Sequence, residues 1–594
     1  MRLPSRRPGV ILPAVLFILV LVGLLGAMFA FRVNADLAAT QARACQVQCR
    51  LAAEAGVERV KLLLRTSRLE MDRWFHNPDE LHRVLVWSPE ADSSRWGTTE
   101  ELGDAVTAYR FSIVADDPLD DEEYIRIGIT DESAKLNLNE ATEAQLLMLV
   151  RAAVSGDESI DPQAIVDAIL DWRDNDATPH GEAADTEGPY YESLDPPYRV
   201  KNGPFSTVEE LLLVKGVSGQ VLYGEDWDRN GLLSPNEDDG PESFPPDNAD
   251  GVLNRGLYPY LTVLSYEDNV SNDRRPRIYL LGDENVVREQ LAELFTDEAI
   301  ISYIINVTRA QGPGTGPGTG DSQGGANTES GSNPSGPNPP GGPAPNTGNT
   351  PAPGGDKSES RQQRRQRPPE DEQPPSDTPT DEAPPSDEPP PADEGDEVAD
   401  SPEAGAEPEP EPESDDASPP AGPIQTPASL LLARTIGGEV RESPIGTEHL
   451  AVLLDRTTTV PPEQRQLKGL INVNTAPRLV LETIEALSDT QIDAIVSVRD
   501  ALDAATKATP AWLVTQDIVD LETLEKIAPK ITARGQQFTI EALGYADHIG
   551  MVTRLQVVVD MIGPVAQTVY YRDLSGLGGN FPIRERDAER LRAR

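Results

Sequence analysis

The chain contains few cysteines, few aromatic residues and few bases for its length of 594 residues. Cys45 and Cys49 are its only cysteines, so we expect neither a disulfide framework nor a zinc site built from thiolates. We interpret the pair as packing residues, with a bridge between subunits as the alternative. The five histidines are scattered and no P-loop, HExxH, G-x-S-x-G or paired CxxC motif occurs, so we do not expect an enzyme.

The charge of the chain is strongly one-sided. There are 100 acidic and 51 basic residues, which gives a formal net charge of −49. A surface of this sign repels phosphate groups, so the charge argues strongly against a nucleic-acid surface. The same acidity favours soluble lobes and sites for cations. The length allows several domains, each large enough to bury a core.

The longest uncharged stretch is Val10 to Phe31, close to the N-terminus. At about 1.5 Å per residue, a helix of this length can cross a bilayer core of roughly 30 Å. Arg2, Arg6 and Arg7 precede it and would keep its start in the cytoplasm, which places the rest of the chain outside. Apolar residues then recur at three- and four-residue steps, so the helix is predicted to continue to about Arg68.

The junction before this helix resembles the leader of type IV prepilins and type II secretion pseudopilins. In those leaders a membrane peptidase cuts after a glycine, here Gly9, so that the mature chain would begin at Val10. An uncleaved signal anchor is the alternative. Pilins usually carry Glu at the fifth mature position, where it pairs with the N-terminal amine of a neighbouring subunit. Here that position is Ala14, which suits the end of a filament better than its middle.

A helical unit occurs twice in the chain. The residues that correspond are Asn137, Asn139, Ala141, Ile169, Arg173 and Asp174 in the first copy and Asn472, Asn474, Ala476, Ile495, Arg499 and Asp500 in the second. Each Asn-x-Asn pair precedes a predicted helix, where its amide can accept from free backbone N–H groups. The units resemble helix-hairpin-helix modules. Because Lys215 stands nearly alone among acids in the candidate hairpin, we interpret the fold as a surface for protein contact.

Two acidic loops are candidate calcium sites. The first contains three carboxylates within six residues, those of Asp171, Asp174 and Asp176. Their mutual repulsion is unfavourable unless a hard cation binds to them. A solvated acidic turn is the alternative. The second loop follows the pattern D-x-[DN]-x-[DN]-G-x5-E throughout, with Gly231 at the sharp turn. Its predicted ligands are Asp226, Asp228, Asn230, the Leu232 carbonyl, Ser234 and Glu237.

The first of these loops belongs to a longer pattern. The residues that carry it are Leu136, Asn137, Asn139, Ala141, Asp171, Trp172, Asp174, Asp176, Pro179, Gly181, Tyr190, Tyr191, Pro196, Pro197, Tyr198, Asn202, Pro204, Phe205, Glu210, Leu211, Val214 and Gly216. In this order they resemble the protein K family of type II secretion, the large minor pseudopilins. Family members bind calcium in this loop region, and the family pattern includes an adjacent Glu-Asp pair. Here the pair is split, and Glu182, Asp185 and Glu187 are the candidates to replace it.

The resemblance implies an α+β fold. A pilin-like long N-terminal helix and a small antiparallel sheet would be interrupted by a large, duplicated, helix-hairpin-helix-like domain and a disordered insertion. Strands 108–130 and 537–574 would then join in one sheet, although the sequence alone also allows two. Within residues 276–307 we predict a strand, a helix and a strand. The insertion is rich in Pro, Gly and acids and cannot bury enough apolar surface to fold.

These expectations divide the chain into nine parts. They are a leader 1–9, the transmembrane half of the helix 10–31, the remaining helix and first strands 32–130, a first helical part with the calcium loops 131–265, a mixed α/β segment 266–308, the insertion 309–427, a second helical part 428–535, closing strands 536–575 and a tail 576–594.

By resemblance, the protein would be a minor pseudopilin at the tip of the pseudopilus that exports folded proteins. Its partners would be other minor pseudopilins, the major pseudopilin and the prepilin peptidase. It would be anchored in the inner membrane by a single span, with its bulk in the periplasm and calcium as its ligand. One alternative is a membrane-anchored, calcium-dependent adhesion or scaffold protein. A weaker alternative is a helix-hairpin-helix DNA receptor.

Overall fold

The computed structural model describes residues 11–88, 108–116, 125–154, 160–181, 188–309, 424–436, 439–578 and 581. The predicted leader with its Gly9 cleavage point and Val10, the candidates Glu182, Asp185 and Glu187, nearly all of the predicted insertion and most of the C-terminal tail lie outside the described residues. These expectations stay predictions.

Helix α1 extends from Ile11 to Ser67, as the apolar run and the steps that follow it predict. Its first half is exposed throughout, from Leu12 to Phe31. In its second half, one face is buried, including Ala53, Val57 and Val60. Two short helices follow, α2 at Met71–Trp74 and α3 at Pro78–Leu81.

Within the described part of the chain, an antiparallel sheet of seven strands packs on the second half of α1. Its strands are β1 Val84–Trp87, β2 Tyr109–Asp116, β3 Ile125–Arg126, β4 Thr130–Asp131, β5 Gln537–Ala546, β6 Met551–Ile562 and β7 Val565–Asp573. Their order is β1-β2-β5-β6-β7, with β3 beside β2 and β4 beside β5. Because β5 pairs directly with β2, the prediction of one sheet is confirmed and the alternative of two is wrong.

The two faces of the sheet differ in chemistry because strand side chains alternate. Toward α1 the sheet presents apolar residues such as Ile540 and Val557, which share a core with the helix. The opposite face is mixed, because an apolar cluster that includes Leu543 lies beside the polar residues that meet the helical domain. There the Thr539 hydroxyl donates to Glu132 Oε1 at 2.7 Å, and the Tyr266 hydroxyl donates to Asp560 at 2.8 Å. Apolar burial thus holds the sheet to α1, whereas hydrogen bonds join it to the helical domain.

The helical domain is built from short helices. They are α4 Glu143–Ala153, α5 Pro162–Arg173, α6 Gly188–Glu192, α7 Gly219–Tyr223, α8 Glu284–Leu294, α9 Glu298–Arg309, α10 Leu450–Arg456, α11 Arg478–Glu482, α12 Asp489–Arg499, α13 Trp512–Thr515 and α14 Leu521–Ile527. Short strand pairs join 136–137 with 261–262, 266–268 with 466–468, 278–279 with 457–458, 434–436 with 439–441 and 471–472 with 531–532. One apolar core contains residues from both sides of the predicted insertion.

The duplicated unit predicted from sequence is repeated in the hydrogen bonds. Arg173, at the end of α5, donates from Nη2 to the Ala141 carbonyl at 2.7 Å. Arg499, at the end of α12, donates from Nη1 to the Ala476 carbonyl at 2.6 Å. Each unit also begins with a two-residue strand that pairs in parallel with a strand at its end. The two copies are therefore fastened in the same way.

The predicted role of the Asn-x-Asn pairs in helix capping is wrong. Asn137 Oδ1 accepts from the Asn139 N–H at 3.0 Å, and Asn472 Oδ1 accepts from the Asn474 N–H at 3.0 Å. These contacts close turns between the strand and the helix. Helix α4 is capped by Thr142 instead, because Thr142 stands directly at its first turn.

The second strand predicted within 276–307, at residues 301–307, is also wrong, because these residues belong to helix α9. Its β-branched residues favoured a strand. However, Ile300, Ile304 and Val307 follow helical spacing and are buried together. Asp297 Oδ1 accepts from the Ala299 N–H at 2.8 Å at the start of the helix. This start signal and the spacing outweigh the intrinsic preference for a strand.

Both cysteines lie where α1 meets the sheet, and both are free. Cys49 is fully buried, and burial raises the pKa of its thiol to about 11. The Cys45 sulfur lies 3.2 Å from the Tyr109 hydroxyl. Packing is therefore the role of Cys49 in this structure.

Candidate metal sites

The 226–237 loop follows helix α7 and packs against the sheet. Its turn is made by Arg229 and Gly231, whose φ angles are 57° and 71°. Glycine adopts such a conformation without strain, which explains the residue at the sixth position of the loop pattern. No second helix of the kind seen in an EF-hand pair follows within the described residues up to 283.

Three carboxylates meet in this loop. Asp226, Asp228 and Glu237 each offer an oxygen, and these oxygens all lie within 4.8 Å of one another. Asp226 and Glu237 are buried, with only 6% and 1% of their surface exposed. The spacing in sequence thus becomes a real cluster in space. Bringing three carboxylates together in this way is unfavourable without a counter-charge.

Backbone N–H groups of the loop point at the same carboxylates. Asp226 accepts from the N–H groups of Asn230 and Gly231 at 2.9 and 3.0 Å. Glu237 accepts from Trp227 at 3.2 Å and from Ser234 at 3.0 Å. The conformation of the loop is therefore fixed around its acidic centre.

Burial disfavours the charged form of the carboxylates in this cluster. Burial, with a further contribution from Asp228, raises the pKa of Glu237 to about 7. Burial also raises the pKa of Asp228. A divalent cation would compensate this repulsion, and the donors are hard oxygens of the type that calcium prefers. The residues present therefore fit calcium.

The other predicted ligands of this loop are placed nearby. Asn230 Oδ1 accepts from the Leu232 N–H at 2.6 Å, and Asn230 Nδ2 donates to Asp228 Oδ2 at 3.1 Å. Leu232 and Ser234 are buried within the loop. Ligation by the Leu232 carbonyl and by Ser234 stays a prediction.

The structure arranges the first acidic loop differently from the predicted cluster. Asp171 lies on α5, fully buried, and its Oδ1 accepts from the His180 N–H at 2.6 Å. Asp174 and Asp176 instead accept from backbone N–H groups two residues further on, those of Asp176 and Thr178. Among the described residues, these three carboxylates do not form a group with oxygens within 4.8 Å of one another.

Asp171 nevertheless has an unsatisfied acceptor. Its Oδ2 is buried and has no hydrogen-bond partner within the described part of the chain. A buried carboxylate oxygen is costly without a donor or a cation. Asp171 therefore fits a metal ligand on its own, whereas the expected partners Glu182 and Asp185 lie outside the described residues.

A neighbouring cluster was missed by the sequence analysis. Glu143, Asp167 and His180 bring their ligand atoms within 4.8 Å of one another. Gln163 Nε2 donates to both carboxylates, to Glu143 at 2.9 Å and to Asp167 at 2.8 Å, and so accounts for their approach. No local motif contains these residues because they come from α4, α5 and the following turn. Only Asp167, one helical turn before Asp171, could have been found by its spacing.

The aromatic residues of the longer sequence pattern form part of the core. Trp172 and Tyr191 pack edge to face with ring centroids 5.4 Å apart. Trp172 Nε1 donates to Glu210 Oε1 at 2.9 Å. Asn139 and Phe205 exchange two hydrogen bonds, at 3.1 and 2.7 Å. The pattern thus specifies one packed unit around α5.

Residues 130–223 match the family model for type II secretion system (T2SS), protein K. This segment is similar to protein K of that system. It begins at β4, contains α4 to α7 and ends just before the 226–237 loop. The resemblance drawn from the sequence pattern is therefore confirmed over the part of the chain that carries the pattern.

Comparison with solved structures finds a similarity to the crystal structure of the GspK-GspI-GspJ complex from the type 2 secretion system of enterotoxigenic Escherichia coli. The sequence identity is 9% and the TM-score is 0.34, over 91% of this chain and 99% of that chain. The α+β fold of this chain is therefore described from its own helices and strands. No curated protein matches the chain.

Among its described residues, the chain contains one helix that is long and apolar enough to cross a membrane. It is the exposed, apolar part of α1 near the N-terminus. This agrees with a single membrane anchor by length and composition.

Proposed function

We propose that the protein is a minor pseudopilin at the tip of a type II secretion pseudopilus. There it would help to initiate and cap the filament that exports folded proteins across the outer membrane. This proposal depends mainly on the position in the fold of the segment that matches protein K. Residues 130–223 lie between β3 and β5 of a sheet that packs on the second half of α1.

The long helix supports a role in a filament. Its first half presents apolar residues on all sides, with Leu12 77% and Phe31 81% exposed. Such a surface needs either lipid or the helices of neighbouring subunits around it. Its second half is already occupied by the sheet. One helix can therefore serve first as a membrane anchor and then as the inserted part of a filament subunit.

Two features support the tip over the shaft. Ala14 provides no carboxylate for the N-terminal amine of another subunit. The helical domain, with residues on both sides of the predicted insertion, adds bulk that a filament shaft could not accommodate. The partners would be other minor pseudopilins and the major pseudopilin. The prepilin peptidase would cut after Gly9, and the bulk of the chain would lie in the periplasm with a single span in the inner membrane.

Calcium is proposed as a structural ligand rather than a signal. In the 226–237 loop, Asp226, Asp228 and Glu237 would hold the ion together with Asn230. A second ion would be held by Asp171, whose Oδ2 is buried without a partner among the described residues. Glu182 and Asp185 are its proposed further ligands. Calcium would neutralise carboxylates and stabilise the loops around them.

Antibody labelling of overexpressed pseudopili tests the proposed position. Gold particles directed at the folded part of this chain should mark one end of each filament, while an antibody to the major pseudopilin marks the whole length. Labelling along the shaft would contradict the tip assignment. Labelling of the membrane alone, with normal secretion in a strain that lacks the protein, would favour the adhesion or scaffold alternative.

A further inference from the structure

Arg554, on β6, connects the sheet to the 226–237 loop. Its Nη1 donates to the Asp228 carbonyl at 2.7 Å, and its Nη2 donates to the Arg229 carbonyl. Both bonds are made by one planar guanidinium to two consecutive peptide groups. Such a fork fixes the orientation of the peptide between them as well as its position.

The guanidinium is itself held firmly in the sheet. Its Nε donates to Glu541 Oε1, on the neighbouring strand β5, at 2.5 Å. Only 2% of the Arg554 side chain is exposed, so the ion pair is shielded from water. A buried charge that lost its partners would be strongly destabilising. The position of the Arg554 guanidinium is therefore set by the sheet. The loop must place its two carbonyl oxygens at that position to accept the hydrogen bonds.

A second connection runs through Glu209 in the helical domain. Arg229 Nη1 lies 3.5 Å from Glu209 Oε1, and Arg572 of β7 donates to the same oxygen. The Arg229 guanidinium also lies over the rings of Tyr223 and Tyr258, at 5.1 and 5.4 Å from their centroids. Arg229 thus contacts the sheet both by its carbonyl and, through Glu209, by its side chain.

The same short segment carries metal ligands. Asp228 offers its carboxylate to the acidic cluster and its carbonyl to Arg554. Any cation that fixes this carboxylate also restricts the peptide that Arg554 binds. The reverse holds as well, because docking on the sheet restricts the loop before a cation enters.

We propose that Arg554 couples calcium binding in the 226–237 loop to docking of the helical domain on the sheet. This inference rests on the proposed calcium binding and describes the effect of that binding on the rest of the fold. Calcium strengthens the contact between the two parts of the fold, and the contact strengthens the affinity for calcium by the same factor. Arg554 acts as a positioning residue and is not a ligand.

Hydrogen–deuterium exchange and calorimetry on the full-length protein in detergent micelles test the coupling. In the wild type, calcium should slow exchange both in the loop and in β6 and β7. In R554Q, calcium should still slow exchange in the loop but no longer in the strands. The affinity for calcium should fall by about tenfold, the size of a typical coupling between sites.

R255Q is the matched control. Arg255 Nη2 also donates to a loop carbonyl, that of Gly231, at 3.1 Å, but Arg255 comes from the segment after the loop and not from the sheet. This variant should keep the calcium-dependent protection of β6 and β7. If R554Q keeps this protection as well, at wild-type affinity, the coupling is wrong while calcium binding stands. If the wild type binds no calcium, both proposals fail.

A second variant, in the loop itself, tests the coupling even if R554Q does not fold. D226N removes a proposed ligand and leaves Arg554 and Glu541 in place. In the presence of calcium, β6 and β7 of D226N should exchange as fast as those of the wild type without calcium. Strand protection by calcium in D226N equal to that of the wild type would overturn the coupling.

Discussion

Arg173 donates from Nη2 to the carbonyl oxygen of Ala141 at 2.7 Å, joining the end of α5 to the start of the first helical unit. The second unit repeats the contact between Arg499 and Ala476 at 2.6 Å. A duplication recognised by residue identities is thus also a duplication of tertiary hydrogen bonds. The arginines fasten each helical pair to the turn before it.

Replacing Arg499 by Met should lower the free energy of unfolding by about 2 to 3 kcal/mol. The guanidinium is buried, and its loss leaves the Ala476 carbonyl without this charged donor. Urea unfolding followed by circular dichroism measures the change. R478Q is the control, because Arg478 pairs with Glu482 and Asp493 at the half-buried surface, where such pairs should contribute less than about 1 kcal/mol. Equal effects of the two variants would contradict the fastening role.

Removal of calcium should lower the melting temperature of the wild type. A ligand at one hundred times its dissociation constant adds about 2.7 kcal/mol to the free energy of unfolding. Differential scanning calorimetry in EDTA and in excess calcium measures the shift. In D226N the shift in melting temperature should be smaller, because the contribution of the 226–237 loop is lost. E242Q replaces an exposed acid beyond the loop and should show the same shift as the wild type. An identical shift in D226N would remove the loop as a calcium site.

Asp131 should make stability fall between about pH 4 and pH 6. Burial raises the pKa of its carboxyl to about 6, although hydrogen bonds from Asn472 and Thr475 act in the opposite direction. In this range the folded state keeps a proton that the unfolded state has lost, so the free energy of unfolding decreases as pH rises.

The D131N variant isolates this contribution because its side chain does not titrate. The free energy of unfolding of the wild type relative to D131N should fall by an amount on the order of 2 kcal/mol from pH 4 to pH 6. Urea titrations at several pH values measure this difference. A constant difference would show that Asp131 titrates normally.

Gly544 permits the close contact between β5 and α1. A Cβ atom there would lie 1.9 Å from the Cys49 carbonyl oxygen and 2.5 Å from the Ala53 nitrogen. Because both neighbours are helix backbone, G544A should force the helix and sheet apart and cost about 1 to 3 kcal/mol or more. Chemical unfolding measures the loss. G576A adds the same methyl group at a position with nothing within 4 Å and should be nearly neutral. A neutral G544A would contradict the packing.

Much of the fold could be predicted from periodicity. The uncharged run and the steps after it indicated α1, and the alternation in 537–574 indicated strands. The β-branched residues of α9 predict a strand, but their helical spacing gives a buried face and the segment forms a helix. The register of β5 beside β2 could not be read locally, since it joins residues more than 400 positions apart.

The metal sites likewise combine features that can be predicted from local sequence with features that cannot. The ligands of the 226–237 loop are close in sequence and meet in space, because one short turn brings them together. Asp174 and Asp176 are equally close to Asp171 in sequence but bind backbone N–H groups of their own turn. These three carboxylates therefore do not form a group with oxygens within 4.8 Å of one another among the described residues. Clusters assembled from separate helices leave no sequence motif.

Part of the duplication was also invisible in the sequence. The Thr262 hydroxyl donates to Glu132, and the Thr532 hydroxyl donates to Glu267. Both threonines end the strand that closes their unit. The two glutamates lie at different distances in sequence from the arginines that the two units share, so residue matching does not pair them. Arg277 and Arg534 hold the pKa of Glu267 at about 2, against the effect of its burial.

The N-terminus of the protein extracted from membranes tests the central claim most directly. Intact-mass spectrometry combined with N-terminal sequencing should find a chain that begins at Val10, because the prepilin peptidase is expected to cut after Gly9. In a strain without the peptidase, the chain should begin at Met1. A wild-type strain that yields only chains beginning at Met1 would contradict the assignment as a pseudopilin.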